Sequence, residues 1–462
     1  MKIKISDKMS FRKLIIFAIP SIIMFLFMAS YQIVDAMFVT NFVSTDALSA
    51  LNITYPITSL FVAIGVMFGT GGSALVSKML GEGDKEEAKK AFTLITVTAL
   101  ILTIILAGLC LIFIEPLLYA IGADSDTFQY SKDYLTIILL FSPFFILQIL
   151  YQSFFVVISK PITGLIFTIS SGLANILFDY VFIVLLNLGI SGAAYGTVIG
   201  FLIPAIGGLI IFIFRKNGLK YSKFKINFKY IYKSMLNGSS EMVINLAVSV
   251  TTLIFNLTMM DLAGSEGVAA ITAILYVQYL MQAFFIGYSL GVAPVVSYNY
   301  GEKREDFIRS IRNKSLIFIS IFSLVITIIS FFISVPLAKL FSADKKEIYD
   351  LIYKGNMIFT INYLFAGLNI YLSSFFTSLN DGITSAIIAF CRTFLFILIF
   401  TPICAHFLDT NGVFLVIPIA EFLTFIVAMS LLRFSYIRDI TKIIPEFKYS
   451  SIKKIKTNAN NK

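Results

Sequence analysis

The chain has no tryptophan, one histidine and three cysteines in 462 residues, and only 13% of its residues are charged. Each shortage removes a class of protein. A soluble domain carries roughly 25% charged residues, so a chain this poor in charge does not stay in water. Cys110, Cys391 and Cys404 lack metal-ligand spacing and suggest neither a disulfide framework nor a zinc site. The single histidine, His406, reads as an interfacial residue rather than a proton relay. Without tryptophan, the 22 tyrosines must supply most of any interfacial aromatic belt. No HExxH, GxSxG or P-loop pattern is present, so the sequence does not point to an enzyme, and no cofactor is implied.

What the chain does have is apolar length. Hydrophobic residues make up 58% of it and the mean hydropathy is +0.90. Runs long enough to cross a bilayer, about 18 residues or more, lie near 14–39, 53–77, 91–114, 134–158, 162–186, 192–214, 235–260, 268–298, 315–340, 351–378, 383–406 and 412–432. The expectation is an all-α polytopic membrane protein with twelve transmembrane helices. The lysine-rich start resembles a secretory signal, but its apolar run is too long, and it reads as the first membrane helix.

The net charge of +10 is distributed asymmetrically. If the N-terminus lies inside, 31 of the 36 Lys and Arg residues fall in inner segments. This is the positive-inside pattern. It predicts a multi-pass protein of the cell membrane with both termini cytoplasmic. The bilayer is then partner enough for the basic segments, with no nucleic acid implied, and a monomer is expected.

Comparing the chain with itself reveals a repeat. At a shift of 220 residues Gly71, Val76, Ser77, Gly81 and Glu82 meet Gly291, Val296, Ser297, Gly301 and Glu302. Tyr151, Ser153 and Phe155 meet Tyr371, Ser373 and Phe375. Six helices per half make equivalent helices run the same way, so the repeat is parallel, with its axis along the membrane normal. The expected organisation is an N-terminal lobe over 1–214, a basic linker over 215–234 and a C-terminal lobe over 235–462.

One residue is out of place in this scheme. Asp35 sits within the first apolar run, where burying a carboxylate costs about 2.5–3.5 kcal/mol on insertion scales. Asn175 and Asp179, four apart, share a face of helix five, and Thr197 lies about two turns into helix six. At the 220-residue shift Asp35, Asn175, Asp179 and Thr197 face Phe255, Leu395, Ile399 and Ile417. Their joint loss assigns their role to the first lobe alone.

The stretch VDAMFVTNFVSTDALSALNITYPI (34–57), followed by GVMFGTGGSALVSKMLGEGDKEEAKKAF (65–92), resembles the multidrug and toxic compound extrusion (MATE) family, with a degenerate copy at 267–306. The resemblance implies a two-lobed transporter that exports cationic or amphipathic small molecules by alternating access, driven by inward sodium or protons. It also implies that Asp35, Asn175, Asp179 and Thr197 surround the coupling cation. Carboxylate, amide and hydroxyl oxygens suit a hard cation, and a facing carboxylate pair also suits a proton. The amide and hydroxyl favour sodium.

Tyr31 and Gln32, one turn before Asp35, are candidates to hydrogen-bond it. Glu241 is a candidate to attract cationic substrate, and Pro20 is a candidate hinge of the first helix. Arg392 and Glu421 fall at similar depth and are expected to form a structural ion pair. Met24, Met28, Met37 and Met67 read as packing residues. The alternative cargo is a lipid-linked oligosaccharide precursor, moved by a flippase of the same superfamily. Such a cavity needs several cations for phosphate, and intramembrane Arg or Lys is nearly absent here.

Overall fold

The computed structural model describes residues 3–434 apart from 8, 343 and 344. Of 32–38, 40, 41, 45, 46, 48 and 435–459 it describes the backbone alone. Nine helices among the described residues are long and apolar enough to cross a membrane, and a bent pair makes a tenth crossing. Two of the nine are far too long for one crossing. The helix Phe228–Gly301 has 74 residues, about 110 Å at 1.5 Å per residue, against a hydrocarbon core of about 30 Å. It turns back at Gly264, where φ is 62° and ψ is −154°, a conformation glycine adopts without a Cβ penalty. The last long helix breaks in the same manner at Asp409, φ 50°. The chain therefore crosses twelve times.

The crossings are α1 (Phe11–Phe42), α2 (Thr45–Gly81), α3 (Lys85–Ile112), α4 (Phe128–Leu140 with Ser142–Val157), α5 (Pro161–Leu185) and α6 (Gly189–Phe214). They continue as α7 (228–263), α8 (265–301), α9 (Glu305–Phe341), α10 (Lys346–Ser378), α11 (382–408) and α12 (410–434). Polar side chains mark their starts. Ser10 Oγ accepts from the Lys13 amide, Ser44 Oγ from Ala47 and Asp381 Oδ1 from Thr384, supplying acceptors to otherwise orphaned first-turn donors.

Several boundaries differ from the sequence reading: α2 starts at Thr45 rather than 53, α3 at Lys85 rather than 91 and α9 at Glu305 rather than 315. α4 starts at Phe128 and bends 58° between its halves, because Pro143 at the start of the second half cannot donate a backbone hydrogen bond. α7 begins at Phe228 rather than 235, with Asn227 Oδ1 accepting from the Lys229 amide. The linker is correspondingly shorter. α5 ends in a π-helical segment, Tyr180–Leu185.

Each lobe is held by an aromatic core. In the first, Phe92 lies 4.7 Å from Phe154 and 4.8 Å from Phe212, ring centre to ring centre. In the second, Tyr288 and Phe318 stack at 4.6 Å. Tyr151 and Phe155 are buried in the first core, and their register partners Tyr371 and Phe375 in the second.

The lobes meet at the end of the bundle that carries the basic loops, and they meet backbone to backbone. A Cβ on Gly71 of α2 would overlap the Ser234 carbonyl of α7, and one on Gly238 would overlap that of Met67. Likewise Gly81 lies on the Tyr298 carbonyl and Gly301 on that of Lys78. The second pair repeats the 220-residue register, 81 with 301 and 78 with 298, as a two-fold axis along the bundle requires.

Candidate functional site

α6 carries Gly192, Gly196 and Gly200 at every fourth position. Small residues at this spacing let helix backbones approach closely in a membrane, and here they admit α5. A Cβ on Gly196 would overlap Asp179 Oδ1, so this glycine makes room for the carboxylate. Asp179 is wholly buried. One turn earlier the Asn175 amide donates from Nδ2 to Thr197 Oγ1 at 3.5 Å. Asn175 Oδ1 is also buried and has no hydrogen-bond partner among the described residues. Ser171 Oγ donates to the Gly200 carbonyl at 2.7 Å and fixes the two helices in register.

The residue after Asp179 begins the π-helical turns, with the Leu186 amide donating to the Val181 carbonyl at 2.9 Å. Such segments interrupt the normal ladder and occur often at functional sites. Tyr31 approaches α5 from α1. A Cβ on Gly172 would stand 3.0 Å from Tyr31 Cδ1. The structure thus brings Asn175, Asp179 and Thr197 together, with Tyr31 alongside. The side chains of Asp35, Gln32 and Met37 lie outside the described residues.

Two buried glutamines extend this polar interior. Gln152 of α4 donates from Nε2 to Thr168 Oγ1 at 3.5 Å, and Gln148 is buried one turn away. The internal comparison contained their signal, since at the 220-residue shift they face Leu368 and Leu372. Thr168, Ser171, Asn175 and Asp179 then form one polar face of α5.

The corresponding volume of the second lobe is apolar. Phe255, Ile397, Val413, Phe414 and Ile417 pack there in one cluster. A matched pair of charges lies nearby. Arg392 Nε stands 2.6 Å from Glu421 Oε1, with both side chains less than a tenth exposed. Asn369 Nδ2 donates to Glu421 Oε2 at 2.7 Å and to its backbone carbonyl at 2.8 Å. The expected ion pair is formed.

The remaining candidates stand apart from the first-lobe group. Glu241 is half-buried on α7, one turn beyond Asn237, whose amide donates to Asn380 Oδ1 at 2.7 Å. It belongs to the second lobe's side of the interface. Pro20 is buried inside α1, which runs as one helix from Phe11 to Phe42. Met24 and Met67 are buried in packing, and His406 is exposed near the end of α11. Among the described residues no three His, Cys, Asp or Glu side chains cluster as metal ligands, so any cation in the first lobe depends on neutral oxygens beside the carboxylate.

The MatE family model matches the chain twice, over residues 20–181 and 242–403, close to the internal register. Among curated proteins the chain is 30% identical over 298 residues to the multidrug export protein MepA of Staphylococcus haemolyticus, covering 63% of this chain and 64% of that one. It is 26% identical to MepA of Staphylococcus aureus strain MRSA252 over 376 residues, 78% of this chain and 81% of that one. The chain thus aligns with just under two thirds of the length of the first of these relatives. An outward-facing multidrug resistance MATE family transporter of the MOP superfamily superposes with a TM-score of 0.85 at 20% identity, covering 94% of this chain and 98% of that one. A mutant of the Vibrio cholerae MATE transporter VcmN gives 0.83 at 21%, with 92% and 97% covered. These two likenesses establish the fold, and the family model, matching over most of the length, places the chain in the MatE family.

Proposed function

We propose that this protein is a cation-coupled antiporter that exports cationic or amphipathic compounds by alternating access, with sodium or protons as the coupling ion. The observation that carries this reading is the set Asp179, Asn175 and Thr197 in one lobe only, the first two buried and the third half-buried. A buried amide oxygen without a described partner lies one turn from a buried carboxylate and within reach of a hydroxyl. Oxygens of these kinds suit a hard cation, and a carboxylate in such a place also suits a proton. Asp35, on the facing helix, completes the set in this reading, and intramembrane acids are functional by default.

Export fits the remaining geometry. The lobes close on each other at the basic end through Gly71, Gly238, Gly81 and Gly301. Exchanging that contact for one at the opposite end exposes a central cleft to each side in turn. The basic end is the cytoplasmic one in this reading, with the bundle in the cell membrane and both termini in the cytoplasm. Cation entry at the first-lobe site biases which end is closed, and Pro20 of α1 gives that helix a place to bend. Tyr31, Gln32 and Glu241 contribute to the surface that receives substrate. The multidrug export named for the staphylococcal relatives supports the cargo class. A flippase cavity needs free cations for phosphate, whereas Arg392 is neutralised by Glu421.

The test is transport of a fluorescent cation into reconstituted vesicles under an imposed sodium or proton gradient. Asp35→Asn and Asp179→Asn are expected to lose gradient-driven transport while remaining folded. Undiminished transport in both would sink the proposal. The gradient that drives the parent protein identifies the ion.

A further inference from the structure

The strip joining the lobes carries seven Lys or Arg residues between 215 and 233, and the chain has no acid from 180 to 240. In the loops 78–90 and 302–309 at this end, several basic residues have acids beside them. Lys78, Lys89 and Lys90 pair with Glu82, Glu86 and Glu87, and Arg304 and Arg309 with Glu302 and Glu305. Among the described residues no side chain of the strip forms an ion pair. An excess of fixed positive charge with no internal partner calls for an external anion.

The strip is also built to stay in place. Tyr221 and Tyr151 share a hydroxyl–hydroxyl hydrogen bond of 2.7 Å, and the Tyr221 ring lies 4.9 Å from Phe92. The Tyr221 amide donates to the Phe212 carbonyl at 3.1 Å, and the Ser222 amide to Thr93 Oγ1 at 3.1 Å. Beyond this anchor the sequence alternates Lys223, Phe224, Lys225, Ile226 in a stretch without helix or strand, and Asn227 is extended.

Between the strip and the start of α3 lies a cavity of about 670 Å³, lined by Glu87 and Lys90 of α3 and by Lys223, Phe224, Lys225, Lys229 and Tyr230. Lys90 is already held by Glu87 at 2.8 Å, and the Tyr230 hydroxyl donates to the same carboxylate at 3.1 Å. That leaves Lys223, Lys225 and Lys229 for a ligand. Ile226 and Phe228 also line the cavity, 69% and 78% exposed. We propose that this cavity binds the phosphate headgroup of an anionic phospholipid, with the three lysines on the phosphate and Ile226 and Phe228 against the acyl chains. The site is independent of the transport reading and requires only that the bundle sits in a bilayer.

The absence of tryptophan makes the test direct. Phe228→Trp places the chain's only indole at the site, in full-length protein held in phosphatidylcholine nanodiscs. Brominated-acyl phosphatidylglycerol is expected to quench that indole more than brominated phosphatidylcholine at equal mole fraction. Lys223→Gln, Lys225→Gln and Lys229→Gln should each reduce the preference by roughly fivefold, whereas Lys303→Gln with Arg312→Gln should leave it unchanged. Equal quenching by the two lipids would overturn the proposal. So would lysine variants without effect, or loop 303–314 variants with the same effect. Inorganic phosphate and soluble glycerol phosphate are expected not to relieve the quenching. Relief by either at low concentration would mean a free-phosphate site, and the lipid assignment would fall.

Discussion

The interiors of the two lobes differ far more than their frames. Both bury the register-matched tyrosine and phenylalanine, 151 with 371 and 155 with 375, and both glycines of the pair 81 and 301 lie on the same carbonyl contact. Between α5 and α6 the first lobe holds Asp179, Asn175 and Thr197 with buried glutamines nearby. Between α11 and α12 the second holds Arg392 on Glu421, secured by Asn369, above a purely apolar cluster. A buried pair satisfied by its own protein serves as an internal strut. A buried carboxylate with an amide and a hydroxyl close by offers oxygen ligands of the kinds a hard cation takes. The repeat thus acts as an internal control, separating what the frame needs from what a site needs.

The largest expected effect comes from breaking the strut. Glu421→Gln leaves the Arg392 guanidinium buried without its counter-charge and should cost about 3–5 kcal/mol, read as a fall in melting temperature. Replacing both, Arg392→Met with Glu421→Leu, should recover most of that loss. If single and double variants fall equally, the pair is not the strut described here. Next, Asp179→Asn should reduce gradient-driven transport roughly a hundredfold with little change in melting temperature. Ile417→Val, at the counterpart of Thr197, should transport like the parent, and a comparable loss there would erase the distinction between the lobes.

A smaller effect is expected at the interface. Gly238→Val should disfavour closure of the basic end by about 1–3 kcal/mol, visible as weaker crosslinking between cysteines placed at 82 and 302 on a cysteine-free background. The smallest is Asn175→Ala. It should weaken the cation's stabilisation of the protein by roughly tenfold in concentration, measured as the ion dependence of the melting temperature. An unchanged ion dependence would remove the amide from the site.

Much of this was legible in the sequence. Charge scarcity gave the class, the 220-residue register gave the two-lobed frame, and the apolar counterparts of Asn175, Asp179 and Thr197 marked the first-lobe group. Arg392 and Glu421 were legible as a pair because both are costly alone at that depth. The bend in α4 and the early start of α7 were missed because apolar runs report burial in lipid, not helix continuity. The π-helical turns after Asp179 have no residue signature at all. Gln148 and Gln152 were within reach of the register comparison, but an uncharged amide at membrane depth is a weaker signal than an acid. The docking of Tyr221 depends on tertiary contacts that no local pattern announces.

The backbone contacts at the basic end have one more consequence. Where Gly71 lies on Ser234 and Gly81 on Tyr298, the surfaces in contact are carbonyl oxygens and α-carbons, while the Lys78 ammonium lies beside them, 5.1 Å from the Tyr300 ring of the other lobe. The backbone part of that contact carries no titratable group and is indifferent to acidity. Parting those backbones requires a change of shape in the helices that carry them.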